Sequence, residues 1–343
     1  MKIPCYCEVE FLKEFGTNIP IPKPFENNDD YPVWCNYKNL FFKNANLILD
    51  NFEKLKNEAK AIFSTDKDCN KNFIFLLAKQ VGDGVIKKEE KQIDNIDFET
   101  INPHTVFFLS DAAKCKELEE DYGMLFISNK TKNKNAEILF GFEQSTISIT
   151  KNGKYSDYTF IDAFHHPCNA MIINDAYLLN EKDDTYNENL ISLLDFLLPA
   201  NLKKEKFQFQ LLILSGDNKT NIDVRSRYSF IEKEIDKLRT YEIELKIITK
   251  KAHHNRDILT NYLRISVGNK FTLFKKEKAT INDDLTIHSF IKNCNEMEVV
   301  TERKNEYRKI EKETQNIGSQ IVVIPEIQAG KISNRLLNDF YIS

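Results

Sequence analysis

Short apolar runs separated by polar stretches recur along the whole chain, and their length and flanks decide what they predict. Thr105-Val106-Phe107-Phe108-Leu109 is five residues of β-branched and aromatic character, a strand in a buried sheet. Ser110-Asp111 follows as a helix N-cap, because a short polar side chain accepts the orphan first-turn amides. A helix over 112–121 is closed by Tyr122-Gly123, and Met124 to Ser128 is the next strand. The order β-α-β predicts at least part of a parallel sheet.

The second half repeats this logic more clearly. Ala170-Met171-Ile172-Ile173 predicts a strand ending at Asn174-Asp175, then a helix over 187–198 stopped before Pro199. Further strands are expected at 209–214 and 243–248, with an amphipathic helix over 227–240 between them. Leu263 to Ser266 and Lys270 to Phe274 resemble a hairpin around Gly268. Such alternation implies a doubly wound sheet whose ligand-binding residues lie at strand carboxyl ends. The fold class is therefore α/β, in two domains at 1–150 and 151–343, each with a mixed or parallel sheet flanked by helices.

Other segments carry less pattern. Residues 1–36 contain five prolines and read as an irregular lead-in pinned to a core by Trp34. Residues 37–65 admit two readings: one amphipathic helix, or a buried strand at 45–50 ending on Asp50. Phe73 to Leu77 is another short apolar segment, and Val85 to Glu99 is polar. Residues 129–160 predict a hairpin turning at Lys151-Asn152-Gly153-Lys154 between alternating strands. Residues 301–316 read as an exposed, charged helix.

Composition narrows the function classes. With only 10 glycines, the chain holds neither GxGxxG nor GxxxxGK[ST], so glycine-rich phosphate loops are excluded. The net charge of -4 hides a basic zone: residues 201–278 hold 18 Lys/Arg against 10 Asp/Glu. Such a zone on an acidic chain suits an anionic partner, and equally suits a solvated face. Seven cysteines at scattered spacings match no zinc pattern and predict reduced thiols in a cytoplasmic protein. No stretch approaches the ~18 apolar residues of a membrane span.

His254, Arg256, Asn261 and Gly268 stand at offsets 0, +2, +7 and +14. This spacing resembles the phospholipase D superfamily signature HxKxxxxDxxxxxxG, and the likeness extends over the strand-helix order of residues 165–300. It implies a phospholipase D-like second domain in which the histidine attacks phosphorus and forms a phosphohistidine. His254, Arg256 and Asn261 would be its catalytic residues. His253, Arg256, Lys251 and Gly268 would hold the phosphate, without a cofactor. Arginine replaces the lysine and still binds phosphate bidentately; Asn261 replaces the acid and lacks its charge. The superfamily uses two motifs per active site, so catalysis would require a homodimer. His165 or His166 could join the same mouth.

In the first half, Val106 to Ser128 is similar to the later part of PIN-like nuclease domains. That likeness implies Asp111 and Asp50 as ligands of Mg²⁺ or Mn²⁺; as an ordinary β-α-β unit, Asp111 is only a helix cap. The chain is thus expected to interact with nucleic acid or another phosphodiester, as a nuclease in a bacterial phage-defence system with protein partners. The alternatives are a noncatalytic anion-binding module and a metal-dependent nuclease using the N-terminal carboxylates.

Overall fold

The structure, a computed structural model, describes residues 2–21, 30–80, 85–141, 145–180, 186–216, 224–250, 255–291, 296–316, 321–325 and 332–338. The chain divides into two units: Met1–Glu119 with Met124–Gly141, and Glu120–Gly123 with Phe142–Ser343. Each unit is built on its own sheet, so the α/β class with two sheets flanked by helices holds.

The first unit reads β1 (Ile3–Cys7), α1 (Val9–Thr17), α2 (Asp30–Asn39), β2 (Ala45–Leu49), α3 (Phe52–Thr65), α4 (Phe73–Ala78), β3 (Ile86–Glu90), β4 (Val106–Phe108), α5 (Ala112–Tyr122), β5 (Leu125–Ile127) and α6 (Lys132–Ala136). Its five strands are parallel, in the order β3-β2-β1-β4-β5. The expected irregular lead-in is corrected here: residues 3–7 form the central strand. Pro4 conceals it in the sequence. Glu8 N donates to Phe108 O and Asp50 N donates to Cys7 O, so even residues face β4 and odd ones face β2. Pro4 faces β4 one position before that ladder begins at Cys5–Val106, and its missing N–H costs no bond. Of the two readings of 37–65, the buried strand is the one formed, between α2 and α3. A π-helical turn at Leu40–Asn44 joins α2 to it.

Aromatic side chains fill this core. Phe15 stacks on Trp34 with ring centroids 5.4 Å apart, and Trp34 Nε1 donates to Phe15 O at 3.1 Å. Phe11, Phe41 and Phe108 close the cluster around Phe15. Gly123 ends α5 at φ +58, a conformation glycine adopts without a Cβ penalty.

The second unit reads β6 (Ser145–Ile149), β7 (Ala170–Asp175), α7 (Ser192–Leu197), β8 (Phe209–Gly216), α8 (Val224–Ile235), β9 (Ile243–Lys250), β10 (Arg256–Leu259), β11 (Leu263–Val267), β12 (Asp283–Ser289), α9 (Glu296–Thr314) and β13 (Val322–Ile324). The sheet order is β13-β9-β8-β7-β10-β11-β12-β6. Strands β7, β8 and β9 are parallel; the remaining pairs are antiparallel. Two hairpin expectations are corrected. The turn after β6 leads to no neighbouring strand, because β6 pairs with β12 far along the chain. Likewise β11 pairs with β12, while 270–274 contributes only the bridge Phe274–Ala279.

Both faces of β7–β9 are covered, which is why these strands read as unbroken apolar runs. Met171, Ile173, Leu211, Ile213 and Ile247 meet Leu190, Leu193, Leu194 and Leu197 on one face. On the other, α9 buries Tyr307 and joins its hydroxyl to Asn174 Oδ1 at 2.8 Å, so this charged helix is not exposed all round. Among the described residues no helix is long and apolar enough to cross a membrane.

Candidate anion-binding site

The strand directions bring one set of chain segments to a single edge of the second sheet. β6, β7 and β11 end there, and β10 and β12 begin there. These segments frame an open pocket of about 440 Å³. Lys151 enters it from beyond β6, Tyr177 from beyond β7 and Arg256 from the start of β10. Asn269 and Lys270 follow β11; Ile281 and Asn282 precede β12. Among the described residues the lining thus carries three cationic side chains and no carboxylate.

Two acidic residues hold the backbone of this wall, Asp175 buried and Asp283 partly exposed. Asp175 Oδ1 accepts from Tyr177 N at 2.7 Å and its Oδ2 from Phe271 N at 2.5 Å. Burial pushes its carboxyl above the usual range, while those two amides and the charges of Arg256 and Lys270 pull it back. Asp283 accepts from Gly268 N at 3.0 Å and Asn269 N at 2.9 Å, and Asn282 Oδ1 accepts from Lys151 N at 2.9 Å. The two aspartates thus fix the loops that carry Tyr177, Asn269 and Lys270.

Arg256 is braced within the pocket. Its Nη1 donates to Gly268 O at 3.1 Å, and its guanidinium carbon lies 5.7 Å from the centre of the Tyr177 ring. Nε is buried and has no hydrogen-bond partner among the described residues. Guanidinium and phosphate match as a planar fork to a pair of oxygens, so a site of this charge can hold a phosphoryl group or another oxyanion.

The structure brings two of the four spaced motif residues together, Arg256 and Gly268. A Cβ at Gly268 would lie 2.6 Å from Asp283 Oδ1, so a larger residue there would displace that carboxylate. Asn261 stands elsewhere. It follows the far end of β10, about 10 Å of strand away from Arg256. It is buried, its Oδ1 accepts from Asn169 N and Ala170 N, and its Nδ2 donates to Asn169 Oδ1. Its amide anchors the turn after β10 to the start of β7. Lys251, His253 and His254 lie outside the described residues.

His166 is also structural. Its ring is buried, with Nδ1 2.8 Å from Phe164 O and Nε2 2.7 Å from Thr260 Oγ1. The carbonyl requires a proton on Nδ1, so Nε2 accepts from the threonine. Burial pulls its pKa down to about 4 against the opposing Phe164 bond. His165 is exposed.

In the first unit, the sheet's carboxyl edge holds Glu8, Asp50 and Asp111. Asp111 is exposed and accepts from Ala113 N and Lys114 N, the N-cap bonds of α5. Asp50 accepts from Val9 N at 2.8 Å, and burial pushes its carboxyl up. Glu8 Oε2 accepts from both Ser110 N and Ser110 Oγ. Among the described residues no three or more His, Cys, Asp or Glu side chains are grouped to hold a metal ion.

Sequence reasoning missed Lys151, Tyr177, Asn269, Lys270 and Asn282. Each lies in a polar loop next to a strand end, but only the β6–β12 and β11–β12 pairings place those loops at one edge. No protein-family model matches the chain, and no curated protein matches it.

Proposed function

We propose that the second unit binds the phosphodiester backbone of nucleic acid through Lys151, Arg256 and Lys270. One observation carries this reading: three cations converge on an open pocket whose lining, among the described residues, has no carboxylate. Phosphate neutralisation by such clusters dominates the affinity of nucleic-acid binding. The basic balance of residues 201–278 adds attraction at longer range. A cytoplasmic setting, in a nucleic-acid-directed system such as bacterial phage defence, goes with this reading. The phospholipase D resemblance extends it to hydrolysis, with His254 as nucleophile and a homodimer supplying the second histidine.

The test uses labelled single- and double-stranded DNA and RNA with the intact chain, Arg256→Ala and His254→Ala, with and without EDTA. Salt-sensitive binding is expected, weakened by about tenfold in Arg256→Ala with a salt slope smaller by about 1. EDTA-resistant cleavage that disappears in His254→Ala would establish phospholipase D-type hydrolysis. Binding without cleavage would make the unit a recruiting module. Cleavage that EDTA abolishes and His254→Ala spares would move the chemistry to the carboxylates of the first unit. Absence of any binding overturns the reading.

A further inference from the structure

Tyr177 is one of the few large apolar side chains exposed among the described residues, at 44%. It also lines the cationic pocket, and its backbone is fixed by Asp175 at 2.7 Å. The Arg256 guanidinium lies over its ring. An aromatic face therefore stands directly beside the charges assigned to phosphate. We infer that the pocket takes an unpaired strand, with a phosphate on the cations and the neighbouring base stacked on Tyr177. This rests on the phosphodiester reading above and deepens it.

Stacking decides between the two forms of nucleic acid. In a duplex each base face is covered by its neighbours, so a side chain at a pocket mouth reaches only the backbone. In a single strand the faces are free, and aromatic platforms combined with basic grooves bind such strands regardless of sequence. Asn269 and Asn282, also in the lining, bring amide groups that can meet base edges or sugar oxygens.

The experiment measures fluorescence polarisation with labelled oligothymidylate, an abasic strand of equal length, and the oligothymidylate hybridised to its complement. The intact chain is compared with Tyr177→Ala, Tyr177→Leu, Tyr177→Phe and Arg256→Ala. The intact chain should bind oligothymidylate about tenfold more tightly than the abasic strand, one stacked base being worth about that factor. It should also prefer the single strand to the duplex. Tyr177→Ala and Tyr177→Leu should bring the thymidylate-to-abasic ratio close to one, and Tyr177→Phe should retain it. Leucine keeps apolar bulk without a π-face, so it serves if the alanine variant does not fold. An unchanged ratio in both variants, or equal affinity for the duplex, overturns the stacking inference. If Arg256→Ala then still weakens every ligand, the phosphodiester reading survives alone. Failure of all three probes to bind overturns both.

Discussion

The carboxyl edges of the two sheets use charge in opposite ways. In the first unit Glu8, Asp50 and Asp111 stand at strand ends, and each accepts backbone amides of its own unit. In the second, the acids Asp175 and Asp283 likewise accept backbone amides, and the cations Lys151, Arg256 and Lys270 line the pocket. Strand-end position alone does not assign a residue to a site; what it faces, backbone amides or the pocket, separates these acids from these cations. The same division recurs across the β7–β10 register. Asp175 opposite Arg256 lies on the pocket side, while Asn174 opposite Asp257 lies on the side of α9.

The sharpest way to break this comparison is at Asp257, which is buried and accepts from Arg303 Nη2 at 2.8 Å and Asn174 Nδ2 at 2.6 Å. Asp257→Ala leaves a largely buried arginine with Glu306, at 3.4 Å, in place of its shorter bond to Asp257, and should cost about 3 kcal/mol in urea unfolding. Oligonucleotide affinity of the folded fraction should stay within about twofold. A stable variant with lost binding would place Asp257 in the functional face instead.

His166 offers the next largest effect. Its folded pKa of about 4 lies below the ordinary 6.5, so the unfolded state takes up the proton first. The stability contributed by the neutral ring is complete above about pH 6.5 and declines as pH falls toward about 4. The full loss is on the order of 3 kcal/mol. Urea midpoints measured across that window should fall in the intact chain and fall less in His166→Gln. Parallel slopes would show that the ring is not held neutral.

The smallest effect is at Asp111. Asp111→Ala removes the α5 cap and should cost about 1 kcal/mol in thermal unfolding, with oligonucleotide binding unchanged. Loss of a metal-dependent activity in that variant would return the chemistry to the first unit.

Legibility in the sequence followed burial. Strands β4, β5, β7, β8 and β9 show as apolar runs because their sheets are covered on both faces. β1 was hidden by Pro4, and β3, with the sequence IKKEE, by an edge position that tolerates charge. Of the candidate site, Arg256 and Gly268 were readable as a spacing, because β10 and β11 are sequence neighbours. Lys151 was not: it arrives with β6, which crosses from before β7 to pair with β12. Asn261 illustrates the converse, a residue at a suggestive spacing whose amide is occupied by Asn169 and Ala170.

The grip on the peptide at Gly268 has a further consequence. Its carbonyl holds Arg256 and its amide is held by Asp283, so the guanidinium is oriented before any anion arrives. Immobilising a rotamer-rich side chain on binding ordinarily costs about 0.5–1.5 kcal/mol. In the proposed anion complex folding has already met that cost at Arg256.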